Sequence, residues 1–171
     1  MRKKAQKIRV LLLDVDGVLT DGAITMNDRG EEMKSFNVRD GQGIKLLREG
    51  GVEVALISAR SSKVVTCRAR ELGIRIVYQG AHNKLEAFAK MKARRGYKNS
   101  EVAYVGDDLM DLPLLRVAGL AITVEDGWEE LKSRVDYVTV HKGGQGAVRE
   151  VAELVLRAQD NWNKVISEYQ L

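Results

Sequence analysis

Short apolar runs alternate along the chain with longer stretches of helical period, at residues 8–13, 52–57, 74–78, 102–105, 120–124 and 137–140. Between them, residues 43–49, 61–72, 84–95, 111–117 and 127–133 space their apolar positions three and four apart, as Leu85, Phe88 and Ala89 do, and a last helix begins at 146–156. Strand and helix taking turns is the pattern of a parallel sheet with helices on both faces, so the expected fold is α/β and Rossmann-like. Pro113 falls in the first turn of its helix, where a missing N–H costs little. Residues 23–38 break the alternation. They read as a β-hairpin around Asn27-Asp28-Arg29-Gly30, with Ile24 and Met26 on one arm and Phe36 and Val38 on the other. Such an exposed hairpin suits a flap over a site or a subunit interface.

In an open parallel sheet, ligands bind beyond the carboxyl ends of the strands. Four of those ends carry chemistry. The first run ends in Asp14-Val15-Asp16-Gly17-Val18, the second in Ser58-Ala59-Arg60, the third leads to Lys84, and the fourth ends in Gly106-Asp107-Asp108. Carboxylates at 14, 16, 107 and 108 on one face repel unless a hard cation lies among them, and oxygen-only ligation points to Mg²⁺. Such a site, with a lysine, a hydroxyl and free backbone N–H groups, suits a phosphate dianion. Asp14 can then attack phosphorus, and Asp16, two residues on, can protonate the leaving oxygen and later activate water.

Composition closes off other classes. The 28 basic and 24 acidic residues among 171 leave a net charge of +4 with the signs interleaved, and the basic clusters at 2–9 and 90–98 lack the aromatics of a nucleic-acid platform. They read as a solvated tail and a solvated helix end. Cys67 alone excludes an intrachain disulfide, no run is long enough to span a membrane, and no secretory signal precedes residue 8, so a cytoplasmic protein is expected. A Gly-x-Gly-x-x-Gly is missing after the first run, which removes a dinucleotide domain.

At these residues the chain resembles the haloacid dehalogenase superfamily of phosphotransferases, whose four motifs are matched by Asp14 to Val18, Ser58, Lys84 and Gly106-Asp107-Asp108-Leu109-Met110-Asp111. The resemblance implies an Asp14 nucleophile, an Asp16 acid/base, Ser58 and Lys84 on the phosphate, and Mg²⁺ held by Asp14, the carbonyl of Asp16, and Asp107. Asp108 and Asp111 would then orient the ligands from outside. Three further stretches, Phe36 to Ile44, Tyr78-Gln79-Gly80 and Gly143 to Glu150, resemble a capless, tetrameric group of sugar acid phosphatases. That narrower resemblance implies a single domain over residues 1–171, with a hairpin flap at about 23–38, a tail at about 159–171 and no cap. It also implies a homotetramer that removes the 8-phosphate of an eight-carbon sugar acid in lipopolysaccharide precursor synthesis. The alternatives are a nine-carbon 9-phosphate substrate or a non-catalytic tetramerisation module.

Other residues admit plainer readings. Ser58, Ala59 and Arg60 are expected to line the phosphate and substrate site, while Arg60 and Arg68 can either reach an anionic substrate or pair with acidic neighbours on their helix. His82 and His141 read as polar loop residues, and Cys67 as a small buried hydrophobe. Gly143-Gly144-Gln145-Gly146 reads as a turn before the last helix. Trp162 and Tyr169 are expected to dock on this or a neighbouring subunit.

Overall fold

A computed structural model describes residues 1–167 and residue 169. Six strands, β1 (Val10–Leu13), β4 (Glu53–Ile57), β5 (Ile76–Tyr78), β6 (Val102–Gly106), β7 (Leu120–Thr123) and β8 (Tyr137–Val138), form one parallel sheet in the order β5-β4-β1-β6-β7-β8. The order reverses at β1, which pairs with β4 on one side and β6 on the other. This switch point opens a crevice beyond the strand ends.

Pleating divides the apolar residues of β1. Leu11 and Leu13 face a core layer with Ile44, Leu47, Val148, Val151 and Val155, while Val10 and Leu12 face Phe88, Met91, Leu114 and Leu115. Helices α2 (Val38–Glu49), α3 (Lys63–Glu71) and α7 (Ala147–Ala158) therefore cover one face, and α4 (Lys84–Arg95), α5 (Leu112–Leu115) and α6 (Glu129–Lys132) the other. The expected α/β sheet with helices on both faces is the fold observed.

Side-chain caps set the helix starts. Asn37 accepts from Arg39 N, Ser62 from Val65 N and Asn83 from Glu86 N, and α4 stops at Gly96, whose φ is 72°. The Asn37 cap starts α2 five residues before the expected 43, because Gly41 and Gly43 look unfavourable in a helix but here serve packing. A Cβ on Gly43 would lie 2.9 Å from the Arg149 Cα of α7. Val38 consequently belongs to α2, and the hairpin is shorter than expected, with β2 (Thr25–Met26) antiparallel to β3 (Glu32–Met33). Phe36 packs on the core instead.

Two further readings are corrected. Cys67 is exposed: α3 buries the Val65 and Ala69 stripe, and position 67 lies off it. The N-terminal segment is more than a solvated tail, since α1 (Arg2–Ala5) buries Ala5 and ties Lys4 to Asp136 at 2.6 Å. Helix α8 (Trp162–Ser167) follows Asp160, with Trp162 packed on this chain under Arg157 and the Tyr169 hydroxyl near Glu49. Residues 168, 170 and 171 of the expected tail lie outside the described residues.

Candidate active site

Asp14 follows β1 and Asp107 follows β6, so the central strand pair delivers both carboxylates to the crevice. The loop after β1 turns at Gly17, with φ of 84°, and Thr20 Oγ1 accepts from the N–H groups of Gly17 and Gly22. The glycine-rich turn at 143–146 backs this loop. Gly144 N donates to Val18 O at 2.9 Å, and a Cβ on Gly143 would lie 1.8 Å from Gly17 O.

Lys84, at the start of α4, is buried among these groups. Its Nζ lies 2.9 Å from Asp14 Oδ2 and 2.5 Å from Asp111 Oδ1. Asp14, Asp107 and Asp111 each bring one oxygen to within 4.8 Å of the others. Burial pushes Asp14 up to about 6 against the pull of Lys84. Burial, with Asp14 and Asp111 close by, pushes Asp107 up to about 8. Burial opposes the Lys84 charge as well, yet the two carboxylates outweigh it and its pKa is raised. One ammonium is too little positive charge for three carboxylates, two of them buried and the third half-buried.

Asp111 uses both its oxygens. Oδ1 accepts from Lys84 and from the fully buried Tyr104 hydroxyl, each at 2.5 Å, and Oδ2 accepts from Asp107 N at 2.8 Å and Asp108 N at 3.1 Å. It therefore shapes the loop, leaving Asp14 and Asp107 with oxygens free for a ligand. This surplus of hard oxygen donors fits a divalent cation such as Mg²⁺. Asp108 is exposed and caps the turn Leu109–Asp111 through Leu109 N, away from the cluster.

Ser58, at the end of β4, is buried, and its Oγ accepts from Arg60 N at 3.1 Å, leaving the hydroxyl proton free to donate. Ala59 is half-buried between them. Arg60 does not pair with its own helix. Its guanidinium lies 3.0 Å from Glu32 Oε1 and 3.9 Å from Asp16 Oδ2, and Nε is buried with no hydrogen-bond partner among the described residues. Arg68 pairs with Glu71 at 2.8 Å and lies over Phe36. His82 is exposed, and His141 pairs with Glu150 at 2.7 Å.

The carboxylate of Asp16 is not part of the cluster with Asp14 and Asp107; it meets Lys34 of the hairpin. Lys34, Glu32 and Tyr104 were not anticipated. The hairpin offered one signal, since Glu32 and Lys34 flank the exposed Met33 two residues apart, the spacing that puts side chains on one side of an extended chain. Tyr104, inside an apolar run, offered none.

A switch-point crevice holding an aspartate pair, a buried lysine and an acidic loop defines a class. Residues 74–151 match the family of haloacid dehalogenase-like hydrolases. The chain is 51% identical over 156 residues, 91% of its length and 83% of the relative's, to 3-deoxy-D-manno-octulosonate 8-phosphate phosphatase KdsC of Escherichia coli (strain K12). A crystal structure of 3-deoxy-D-manno-octulosonate 8-phosphate phosphatase from Moraxella catarrhalis, in complex with a magnesium ion, a phosphate ion and a KDO molecule, superposes with a TM-score of 0.96 at 44% identity, covering 99% of this chain and 97% of that one. The cobalt-bound Haemophilus influenzae phosphatase superposes with a TM-score of 0.89 at 39% identity, covering 92% of each chain. The chain belongs to the haloacid dehalogenase-like hydrolases. Within them it is a member of the 3-deoxy-D-manno-octulosonate 8-phosphate phosphatase family.

Proposed function

We propose that this chain is a Mg²⁺-dependent phosphatase that hydrolyses 3-deoxy-D-manno-octulosonate 8-phosphate to the free sugar acid and phosphate, in lipopolysaccharide precursor synthesis. The observation that carries the reading is the buried Lys84 between Asp14 and Asp111, beside Asp107, in a chain half identical to relatives bearing that name. Asp14, Asp107 and the carbonyl of Asp16 would hold Mg²⁺, which when bound supplies charge neutralisation between the phosphate dianion and the attacking carboxylate.

Asp14 Oδ forms the new bond to phosphorus as the phosphorus–oxygen bond to the sugar breaks. Lys84 and the Ser58 hydroxyl hold the phosphate oxygens, and Ala59 and Arg60 line the way to the leaving group. Asp16 gives its proton to the departing sugar oxygen, then takes one from the water that cleaves the aspartyl phosphate and frees Asp14.

With no cap domain among the described residues, the crevice needs other cover. Ile24, Met26 and Met33 of the hairpin are each more than half exposed, which supports the reading of a homotetramer assembled through it. None of the described helices is long and apolar enough to cross a membrane. Comparing kcat/KM on eight-carbon 8-phosphate and nine-carbon 9-phosphate sugar acids, with Mg²⁺ present, tests the substrate. Preference for the eight-carbon ester is expected. Preference for the nine-carbon ester would overturn the substrate while leaving the mechanism, and no hydrolysis of either would favour a non-catalytic module.

A further inference from the structure

The hairpin does more than protrude. Directly after its second strand comes Lys34, whose side chain is 1% exposed and whose Nζ bonds Asp16 Oδ1 and lies 3.1 Å from Glu32 Oε1. Glu32 in turn accepts from Arg60 at 3.0 Å. Hydrogen bonding from Ser62, with Arg60 and Lys34 adding to it, holds Glu32 down at about 2. The far end of the hairpin thus stays open to solvent while its base is fastened to the loop after β1 and the loop after β4.

A lysine so deeply buried carries a large desolvation cost, which only its two carboxylate partners offset. For hairpin attachment alone, an apolar contact would serve at lower cost. The ammonium has one further consequence: it ties Asp16 Oδ1, while the nearest other cation, Arg60 Nε, stays 3.9 Å from Oδ2. Oδ2 is therefore the oxygen left for substrate.

We infer that Lys34 is a positioning residue for the reaction: by holding one oxygen of Asp16, it aims the other at the bond between phosphorus and the sugar oxygen. The inference rests on the reading of Asp16 as the acid that protonates the leaving group. A carboxyl group that rotates freely about its side chain spends little time in line with the leaving oxygen, and orientation accounts for much of the contribution of a positioned acid. Glu32 acts one step further back, keeping the ammonium in place.

The leaving group provides the test. A sugar alkoxide departs poorly and needs its proton, whereas p-nitrophenolate departs without one. Lys34→Gln is expected to lower kcat/KM for the sugar phosphate at least about tenfold more than for p-nitrophenyl phosphate, and Lys34→Arg to keep the ratio within about threefold of the parent protein. In release of the first equivalent of alcohol or phenol, which precedes the shared hydrolysis of the aspartyl phosphate, Asp16→Asn should show the same selective loss, and adding Lys34→Gln to it should slow the sugar phosphate no further. Turnover of the aryl ester by the same preparation reports folded, competent sites. Equal losses on both esters, additive losses in the double variant, or no loss with Lys34→Gln would each overturn the inference. A parent protein that hydrolyses neither ester would instead overturn the phosphatase reading itself.

Discussion

A Cβ placed on Gly17 would lie 2.0 Å from Oδ2 of Asp107, so the loops after β1 and β6 meet at a distance that only glycine permits. The φ of 84° at Gly17 adds a conformation that side chains disfavour. Gly17→Ala must therefore displace Asp107 or unwind the turn carrying Asp14 and Asp16. We predict a loss of about 1–3 kcal/mol in unfolding free energy, with turnover reduced at least about a hundredfold even at saturating Mg²⁺. Denaturant titration and a phosphate-release assay check both. Unchanged turnover would show that the two loops tolerate separation.

Lys84 neutralises Asp14 and Asp111 from inside the protein, where it is 6% exposed. Lys84→Met leaves buried carboxylates without their counter-charge, which costs about 3–5 kcal/mol at pH 8 in the metal-free protein. The cost should shrink at about pH 5, where the carboxylates can take up protons instead. Urea unfolding at the two pH values measures the difference. An equal cost at both would mean that the lysine acts through packing alone.

The acidic cluster also links proton and metal binding. Asp14 is raised to about 6 and Asp107 to about 8, both above the ordinary carboxylate range near 4 that the unfolded chain shows. The folded, metal-free protein thus holds more protons than the unfolded chain between those limits. The contribution of these groups to stability is full below about pH 4 and is lost as pH rises through 6 and 8. Bound Mg²⁺ replaces the protons, so its affinity should strengthen over the same range. Melting curves with a chelator and with Mg²⁺, at about pH 5.5 and 8.5, are expected to show the larger Mg²⁺-dependent gain at the higher pH. A larger gain at the lower pH would contradict the assignment of the cluster.

The hairpin predicts association. Ile24, Met26 and Met33 are 55%, 54% and 57% exposed, an apolar set unusual for a surface that meets only water. If the chain assembles as the proposed tetramer, Met26→Glu combined with Met33→Glu should convert it to smaller species by light scattering, with the melting temperature of the individual fold little changed. A parent protein that is already monomeric would remove the role of the hairpin in assembly.

The strands and the residues at their ends could be read from the chain because a parallel sheet needs continuous apolar runs and puts its chemistry where those runs stop. Asp14, Ser58 and Asp107 stand where that rule looks, whereas Lys84, at the start of α4 beyond the end of β5, was singled out only in company with them. The start of α2 could not be read, because Gly41 and Gly43 count against a helix locally and are there for close approach to α7. Cys67 was misplaced because one residue in a helix turns a side chain by about 100°, enough to leave the buried stripe. Lys34 and Tyr104 act through partners 18 and 7 residues distant, Asp16 and Asp111, and side-chain type alone does not announce such pairings.

The proposed mechanism depends above all on Asp14 as the nucleophile of a metal-dependent phosphatase. Phosphate release from 3-deoxy-D-manno-octulosonate 8-phosphate, measured with and without Mg²⁺ for the parent protein and for Asp14→Asn, tests it most directly. Turnover is expected of the parent protein only with Mg²⁺, and none above background for Asp14→Asn, which keeps the shape of the side chain and loses the attacking oxygen anion. Turnover that survives Asp14→Asn, or that proceeds equally well without the metal, would contradict it.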